Sequence, residues 1–280
     1  MLCCSLLHDG DQLLDGGKGL EAYVEQGATM GIPLLYPWAN RIDGFDYRAA
    51  GKEAVIPRDR ARIPTDENGL PIHGLVPGLM RWTPAQESAS DALTATLDWS
   101  SPELLEPFPF AHSVAIEITA TDGTLAIATT VRATGGDAVP VSFGYHPYLR
   151  LGPRSREQWR VELPPMERLE TDERLIPTGE RRPLGDDERA FELADSSWDD
   201  GFAGLTAGAR FTVSAPGRRI AVEFVEGYRY TQIFAPPGRD FICFEPMTAP
   251  TNALRSGDGL AVVEPGGEYR AEFRVSAWRD

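Results

Sequence analysis

The sequence predicts an all-β chain folded as a large antiparallel β-sandwich. Apolar residues alternate with polar ones at a period of two, and clusters of Pro and Gly punctuate those runs at short spacing. The 28 glycines and 23 prolines among 280 residues supply the turns that such a fold needs and disfavour a bundle of long helices.

The first clear strand has Val114, Ile116 and Ile118 on one parity, with Ala115, Glu117 and Thr119 on the other. Thr121-Asp122-Gly123-Thr124 follows, and an Asp-Gly pair marks a hairpin because both central residues accept positive φ. Leu125, Ile127, Thr129 and Val131 form the return strand. The same alternation recurs at Ile220, Val222 and Phe224, and at Tyr269, Ala271, Phe273, Val275 and Ala277, where Arg270, Glu272 and Arg274 take the wet face. Ala215-Pro216-Gly217, Ala235-Pro236-Pro237-Gly238 and Glu264-Pro265-Gly266-Gly267 are the expected turns. The polar stretch from Glu167 to Asp200 is expected to be a long excursion from the sheet. No repeat, low-complexity tract or linker divides the chain, so residues 1–280 are expected to form a single domain.

Charge narrows the partners. With 42 acidic against 27 basic residues the net charge is -15, which repels phosphate backbones and anionic lipid, so neither nucleic acid nor a membrane is expected as a partner. Cys3, Cys4 and Cys243 cannot form a fully paired disulfide framework, the opening MLCCSLLHDGDQ lacks a basic leader, and no apolar run is long enough to span a bilayer. A cytoplasmic location is the expectation, as monomer or homodimer. Gly16-Gly17-Lys18-Gly19 lacks the phosphate-loop frame, and Asp9 and Asp11 lack the remaining ligands of a calcium loop, so both are expected to be plain turns. GxSxG and HExxH are absent, and neither cofactor nor metal is implied.

Four polar segments stand in apolar or turn-rich settings: Pro37-Trp38-Ala39-Asn40-Arg41-Ile42, Asn68-Gly69-Leu70-Pro71-Ile72-His73-Gly74, Phe143-Gly144-Tyr145-His146-Pro147-Tyr148 and Phe244-Glu245-Pro246-Met247. Glu245 ends a hydrophobic strand, and burial there should raise its pKa toward the range of a general base. His146 sits among aromatics, where an imidazole can give or take a proton near neutral pH.

Taken in order, Asn40-Arg41-Ile42, His73-Gly74, Gly144-Tyr145-His146-Pro147-Tyr148, Asp199-Asp200-Gly201-Phe202, Thr231-Gln232-Ile233-Phe234 and Phe244-Glu245-Pro246 resemble the motif series of the aldose 1-epimerase (galactose mutarotase-like) family. Leu104-Leu105-Glu106-Pro107-Phe108-Pro109-Phe110 is similar to a further family segment, and Phe244-Glu245-Pro246-Met247-Thr248-Ala249-Pro250 is closest to the bacterial branch. The resemblance implies a galactose mutarotase-like supersandwich that interconverts the α and β anomers of a free aldose without a cofactor. It makes His146 the general acid toward the ring oxygen and Glu245 the general base toward the anomeric hydroxyl. By the same resemblance Asn40, Arg41, His73, Asp199 and Gln232 bind the monosaccharide. Asp199 is chosen over Asp200 because the family's acid stands three residues before a Phe, here Phe202. Trp38, Trp198 and Tyr148 flank these positions as candidate stacking partners. Two alternatives stay open: a hexose 6-phosphate substrate, with Pro57-Arg58-Asp59-Arg60-Ala61-Arg62 supplying cations, and a carbohydrate-binding or sensing protein without catalysis.

Overall fold

Two nine-stranded sheets pack face to face in the computed structural model, which describes residues 2–59, 61–85 and 89–279. Met1 of the opening segment and Arg60 of the 57–62 run lie outside the described residues. One sheet runs Leu2–Cys3, Ile32–Leu35, Gly144–Tyr145, Ile242–Met247, Tyr230–Ala235, Trp198–Ala203, Glu167–Thr171 and Pro177–Pro183, with Tyr148–Leu149 also pairing along Ile242–Met247. The other runs Ala190–Glu192, Arg160–Glu162, Ala209–Ala215, Arg218–Glu226, Glu268–Trp278, Thr124–Ala133, His112–Thr121, Ala92–Trp99 and Thr83–Pro84. Neighbouring strands in both sheets are antiparallel. The fold is the large antiparallel β-sandwich that the alternation implies.

The period-two segments fall where the sequence puts them. His112–Thr121 and Thr124–Ala133 form the hairpin, with Ile127 opposite Ile118, and Asp122 and Gly123 turn the chain with φ of 49° and 73°. Val114, Ile116, Leu125, Ile127 and Val131 are buried on one face of that hairpin. On Glu268–Trp278 the buried set is Ala271, Phe273, Val275 and Ala277. Aromatic contacts join the sheets: Phe211 stacks on Phe244 with ring centroids 5.4 Å apart, and Tyr145 meets Phe273 at 5.0 Å. Each such side chain contributes roughly 1.5–3 kcal/mol by leaving water, so this interleaved layer dominates the favourable side of folding.

Two elements differ from expectation. The stretch from Glu167 to Asp200 is part of the sandwich: Glu167–Thr171 and Pro177–Pro183 close one edge of the first sheet, and Ala190–Glu192 closes an edge of the second. Edge strands expose one side of their backbone, so charged side chains there are protective and hide the strand signal. A short helix, Leu20–Gln26, follows the Gly16–Gly19 turn and ends at Gly27 in the left-handed region, with Tyr23 as its buried residue. No described helix is long and apolar enough to cross a membrane.

His112 ties the second sheet to the first. It is fully buried beside Trp99, its Nδ1 donates to the Phe110 carbonyl at 2.6 Å, and Nε2 therefore accepts from the Tyr36 hydroxyl at 2.5 Å. Burial pushes its pKa down from 6.5 to about 4. The unfolded chain thus binds more protons between those values, and folding stability falls as pH drops from 6.5 toward about 4. This single group is expected to contribute about 3 kcal/mol of that loss. Denaturant titrations at pH 7 and pH 4.5 check it: His112→Gln should start less stable than the parent and lose less on acidification.

Candidate functional site

The site grows from the alternation of one strand. In Ile242–Met247, Ile242 and Phe244 enter the core between the sheets, so Cys243, Glu245 and Met247 emerge on the opposite face of their sheet. Gly144 pairs with Met247, and Tyr148 pairs with Cys243 in the same register, which sets His146 opposite Glu245. On the other flank Gln232 pairs with Glu245 and Gly201 with Gln232. Four neighbouring strands therefore place His146, Glu245, Gln232 and Gly201 in one row. Gly201 matters in that row because a Cβ there would come within 3.2 Å of Gln232 Oε1.

Parity also separates the two adjacent aspartates. Asp199 lines the cleft above this row and accepts a hydrogen bond from Gln232 Nε2 at 2.6 Å. Asp200 points the other way and pairs with Arg168 at 2.6 Å. Of the three candidate aromatics, Tyr148 lines the cleft, Trp38 is buried in the core and Trp198 stacks on Phe191.

Two loops form the remaining wall. Asn40 and His73 both adopt left-handed backbone, with φ of 57° and 62°, which costs of order 1–3 kcal/mol for each non-glycine residue. They compensate each other: the His73 N–H donates to the Asn40 carbonyl at 3.0 Å, and the Asn40 N–H donates to His73 Nδ1 at 3.2 Å. Gly74 lets the loops close, since a Cβ there would overlap the Tyr36 carbonyl oxygen at 1.9 Å. Because Nδ1 is an acceptor, the neutral His73 ring carries its proton on Nε2. Burial, with His146 and Arg41 nearby, holds its pKa well below the ordinary imidazole value, so it serves as a donor without titrating.

Arg41 is gripped on three sides. Its Nε donates to Asp66 Oδ2 at 2.7 Å and its Nη1 to Asn40 Oδ1 at 3.1 Å, while Nη2 lies 3.7 Å from Glu67 and 3.8 Å from Asp199. Asp66 Oδ1 accepts from the N–H groups of Asn68 and Leu70, fixing the loop that ends at His73.

At the floor, His146 Nε2 lies 3.1 Å from Glu245 Oε1, and both side chains are almost fully buried. Burial lowers the pKa of His146 and raises that of Glu245 well above the carboxylate range, with Asp199 reinforcing the rise. Both directions penalise an isolated charge, which favours coupled titration of two groups in such close contact. His146 Nδ1 and Glu245 Oε2 have no hydrogen-bond partner. The cleft encloses about 640 Å³ including its mouth, within the range of small-molecule sites, and it gathers Asn40, Arg41, His73, His146, Asp199, Gln232 and Glu245. The arrangement is an acid/base pair at the base of a polar pocket rich in hydrogen-bonding groups. Among the described residues no cluster of three or more His, Cys, Asp or Glu has metal-binding geometry.

Among known proteins, the family model for aldose 1-epimerase matches residues 4–276. The chain belongs to the aldose 1-epimerase family. An uncharacterized protein of Escherichia coli K12, YihR, is 27% identical, covering 94% of this chain and 88% of its own. A crystal structure of a galactose mutarotase-like protein from Clostridium acetobutylicum superposes with a TM-score of 0.82 at 18% identity, over 97% of this chain and 87% of that one. Galactose 1-epimerase from Lactobacillus acidophilus gives 0.70 at 14% identity, over 98% and 87%. At such identities these structures establish the fold alone.

Within this family frame, Thr29, Glu67, Ile72 and Phe234 line the cleft beyond the residues named from sequence, and Asp66 supports it from behind. Asp66 had a local signal: Asp ahead of Asn68-Gly69 is an Asx-turn pattern. Its grip on Arg41 is a long-range fact that no local pattern carries. Asp66→Ala removes the nearest of three carboxylates around a buried guanidinium and should cost up to roughly 3–5 kcal/mol of stability, with Asp66→Asn losing less because it keeps the turn. Chemical denaturation of the two variants against the parent measures the difference.

Proposed function

We propose that this protein interconverts the α and β anomers of a free, unphosphorylated aldose. The observation that carries the reading is the His146–Glu245 pair, 3.1 Å apart at the floor of a polar cleft. In ring opening, protonated His146 gives its Nε2 proton to the ring oxygen while Glu245 takes the proton of the anomeric hydroxyl. The C1–O bond of the ring breaks as the C1 carbonyl forms. Rotation about C1–C2 presents the other carbonyl face, and closure returns both protons. Asn40, Arg41, Asp199 and Gln232 would hold the sugar hydroxyls, and the His73 Nε2–H would donate beside the ring oxygen.

This chemistry suits a desolvated pair. Before and after ring opening the two side chains together hold one proton, as imidazolium with carboxylate or as imidazole with carboxylic acid. Net charge at the floor never changes, so burial imposes no charging cost on the step.

Charge supports a neutral sugar over a phosphorylated one. Arg41 is the one Lys or Arg among the described residues lining the cleft, and it faces Asp66, Glu67 and Asp199. Of the sequence candidates for phosphate contact, the two among the described residues are engaged elsewhere: Arg58 lies over the Phe45 ring, and Arg62 binds Glu106 and the Glu103 carbonyl. A non-catalytic binder has no use for a paired acid and base, which weighs against the sensing alternative.

Polarimetry of freshly dissolved α-glucose and α-galactose tests the proposal, with glucose 6-phosphate as the competitor. Faster equilibration than buffer is expected for at least one neutral sugar. His146→Ala and Glu245→Gln should each lower kcat/KM by about 10²- to 10⁴-fold. No acceleration of any common aldose would sink the enzyme reading. The pH profile follows from the one-proton pair. A second proton must add to a His146 whose pKa burial has lowered from 6.5, and the shared proton must leave a Glu245 whose pKa burial has raised from 4.5. Background-corrected kcat/KM should therefore have its acid limb below pH 6.5 and its alkaline limb well above pH 4.5.

A further inference from the structure

His146 is held by two neighbours with different fates. The contact with Glu245 must yield when a sugar enters between the pair. The contact with Tyr148 need not: the imidazole lies flat on the phenol ring, with centroids 4.4 Å apart and planes 9° from parallel. Phe234 meets the imidazole edge-on at 5.7 Å.

The Tyr148 hydroxyl lies 3.4 Å from His146 Nε2, but it is not a proper hydrogen-bond partner. Parallel stacking places that oxygen over the imidazole, away from the in-plane direction of the Nε2 proton or lone pair. Its hydrogen bond goes to Thr29 Oγ1, 2.5 Å away. The Tyr148 backbone is also fixed, its N–H donating to the Gly31 carbonyl at 2.8 Å and its carbonyl accepting from the Asp15 N–H at 2.9 Å. Phe241 backs the ring at 5.0 Å. The phenol is thus anchored at its backbone, its hydroxyl and its edge, and presents its face to His146.

An aromatic face attracts a cation, most strongly where water is excluded. The other titratable or charged groups around His146 are Glu245, His73 edge-on at 5.6 Å, Arg41 and Asp199 along the cleft wall, Glu67 turned to Arg41, and the Cys243 thiol packed against Tyr148. Once a sugar parts the pair, Glu245 no longer touches the imidazole. His73 and Arg41 then offer it no counter-charge, and Asp199 is already held by Gln232.

We propose that Tyr148 is a positioning residue whose ring face, anchored by Thr29, keeps His146 in place and stabilises its protonated form while a substrate separates it from Glu245. This rests on the acid role proposed for His146.

A ring series tests it: Tyr148→Phe as reference, then phenylalanines of increasing fluorination at position 148, which keep the shape while draining the ring face of negative charge. Tyr148→Leu removes the face altogether. Relative to Tyr148→Phe, kcat should fall stepwise with fluorination, and by about tenfold in Tyr148→Leu, with KM changed less. Losing the face lowers the proton affinity of His146, so the acid limb of the profile, where the second proton adds to His146, should move to lower pH along the series. A fluorinated series that matches Tyr148→Phe in kcat and pH profile overturns the proposal, as does a loss confined to KM. Should Tyr148→Leu fail to fold, the shape-preserving series decides alone. Wild-type protein inert toward every aldose would remove the epimerase reading and this proposal together, whereas active wild-type protein with a flat series removes this proposal only.

Discussion

The register of Ile242–Met247 against its neighbours is the constraint from which the cleft follows. That strand sends Phe244 into the aromatic layer between the sheets and Glu245 to the opposite face. A slip of one residue would exchange them, burying a carboxylate among Phe211, Phe224 and Phe273 and leaving a phenyl ring in the polar cleft. The cost of that exchange pins the register. The same register fixes His146 on one side and Gln232 on the other, so the hydrophobic core and the site are specified by one alternation.

The second theme is charge in a dry place. Glu245 and His146 are each destabilised as lone ions, yet together they form a neutral unit in either tautomer. Around them, Arg41 meets carboxylates, His73 is held neutral with its proton on Nε2, and Asp199 accepts from Gln232. Unlike a site organised around a fixed ion, this one offers mainly directional hydrogen bonds, which suits a ligand made of hydroxyl groups.

Much of this was legible in the chain. Period-two runs located the hairpin at Asp122-Gly123 and the last strand, because each has one wet face and one dry face. The seven residues named from the motif order share one cleft, and strand parity turns Asp199 toward it and Asp200 toward Arg168. What stayed hidden has a physical reason. The strands between Glu167 and Asp200 lie at or next to sheet edges and carry charge where central strands carry apolar residues, so their alternation is masked. The grip of Asp66 on Arg41 and the bond from Thr29 to Tyr148 join residues 25 and 119 positions apart, and chain separation of that kind leaves no local pattern. Trp198 misled for a related reason: its neighbour Asp199 faces the cleft, and adjacent strand residues point to opposite sides.

The reciprocal hydrogen bonds between Asn40 and His73 have a consequence for how relatives of this chain can diverge. Each loop holds a strained residue that is satisfied only by the other, so neither conformation is a property of its own sequence. The two loops form one structural unit although 33 positions part their central residues. A graft that moves one of them into a related scaffold leaves a donor without its acceptor and a strained backbone without its compensation. Moving this wall of the cleft into another scaffold therefore calls for both loops together, with Gly74 carried along because a Cβ there would meet the Tyr36 carbonyl oxygen.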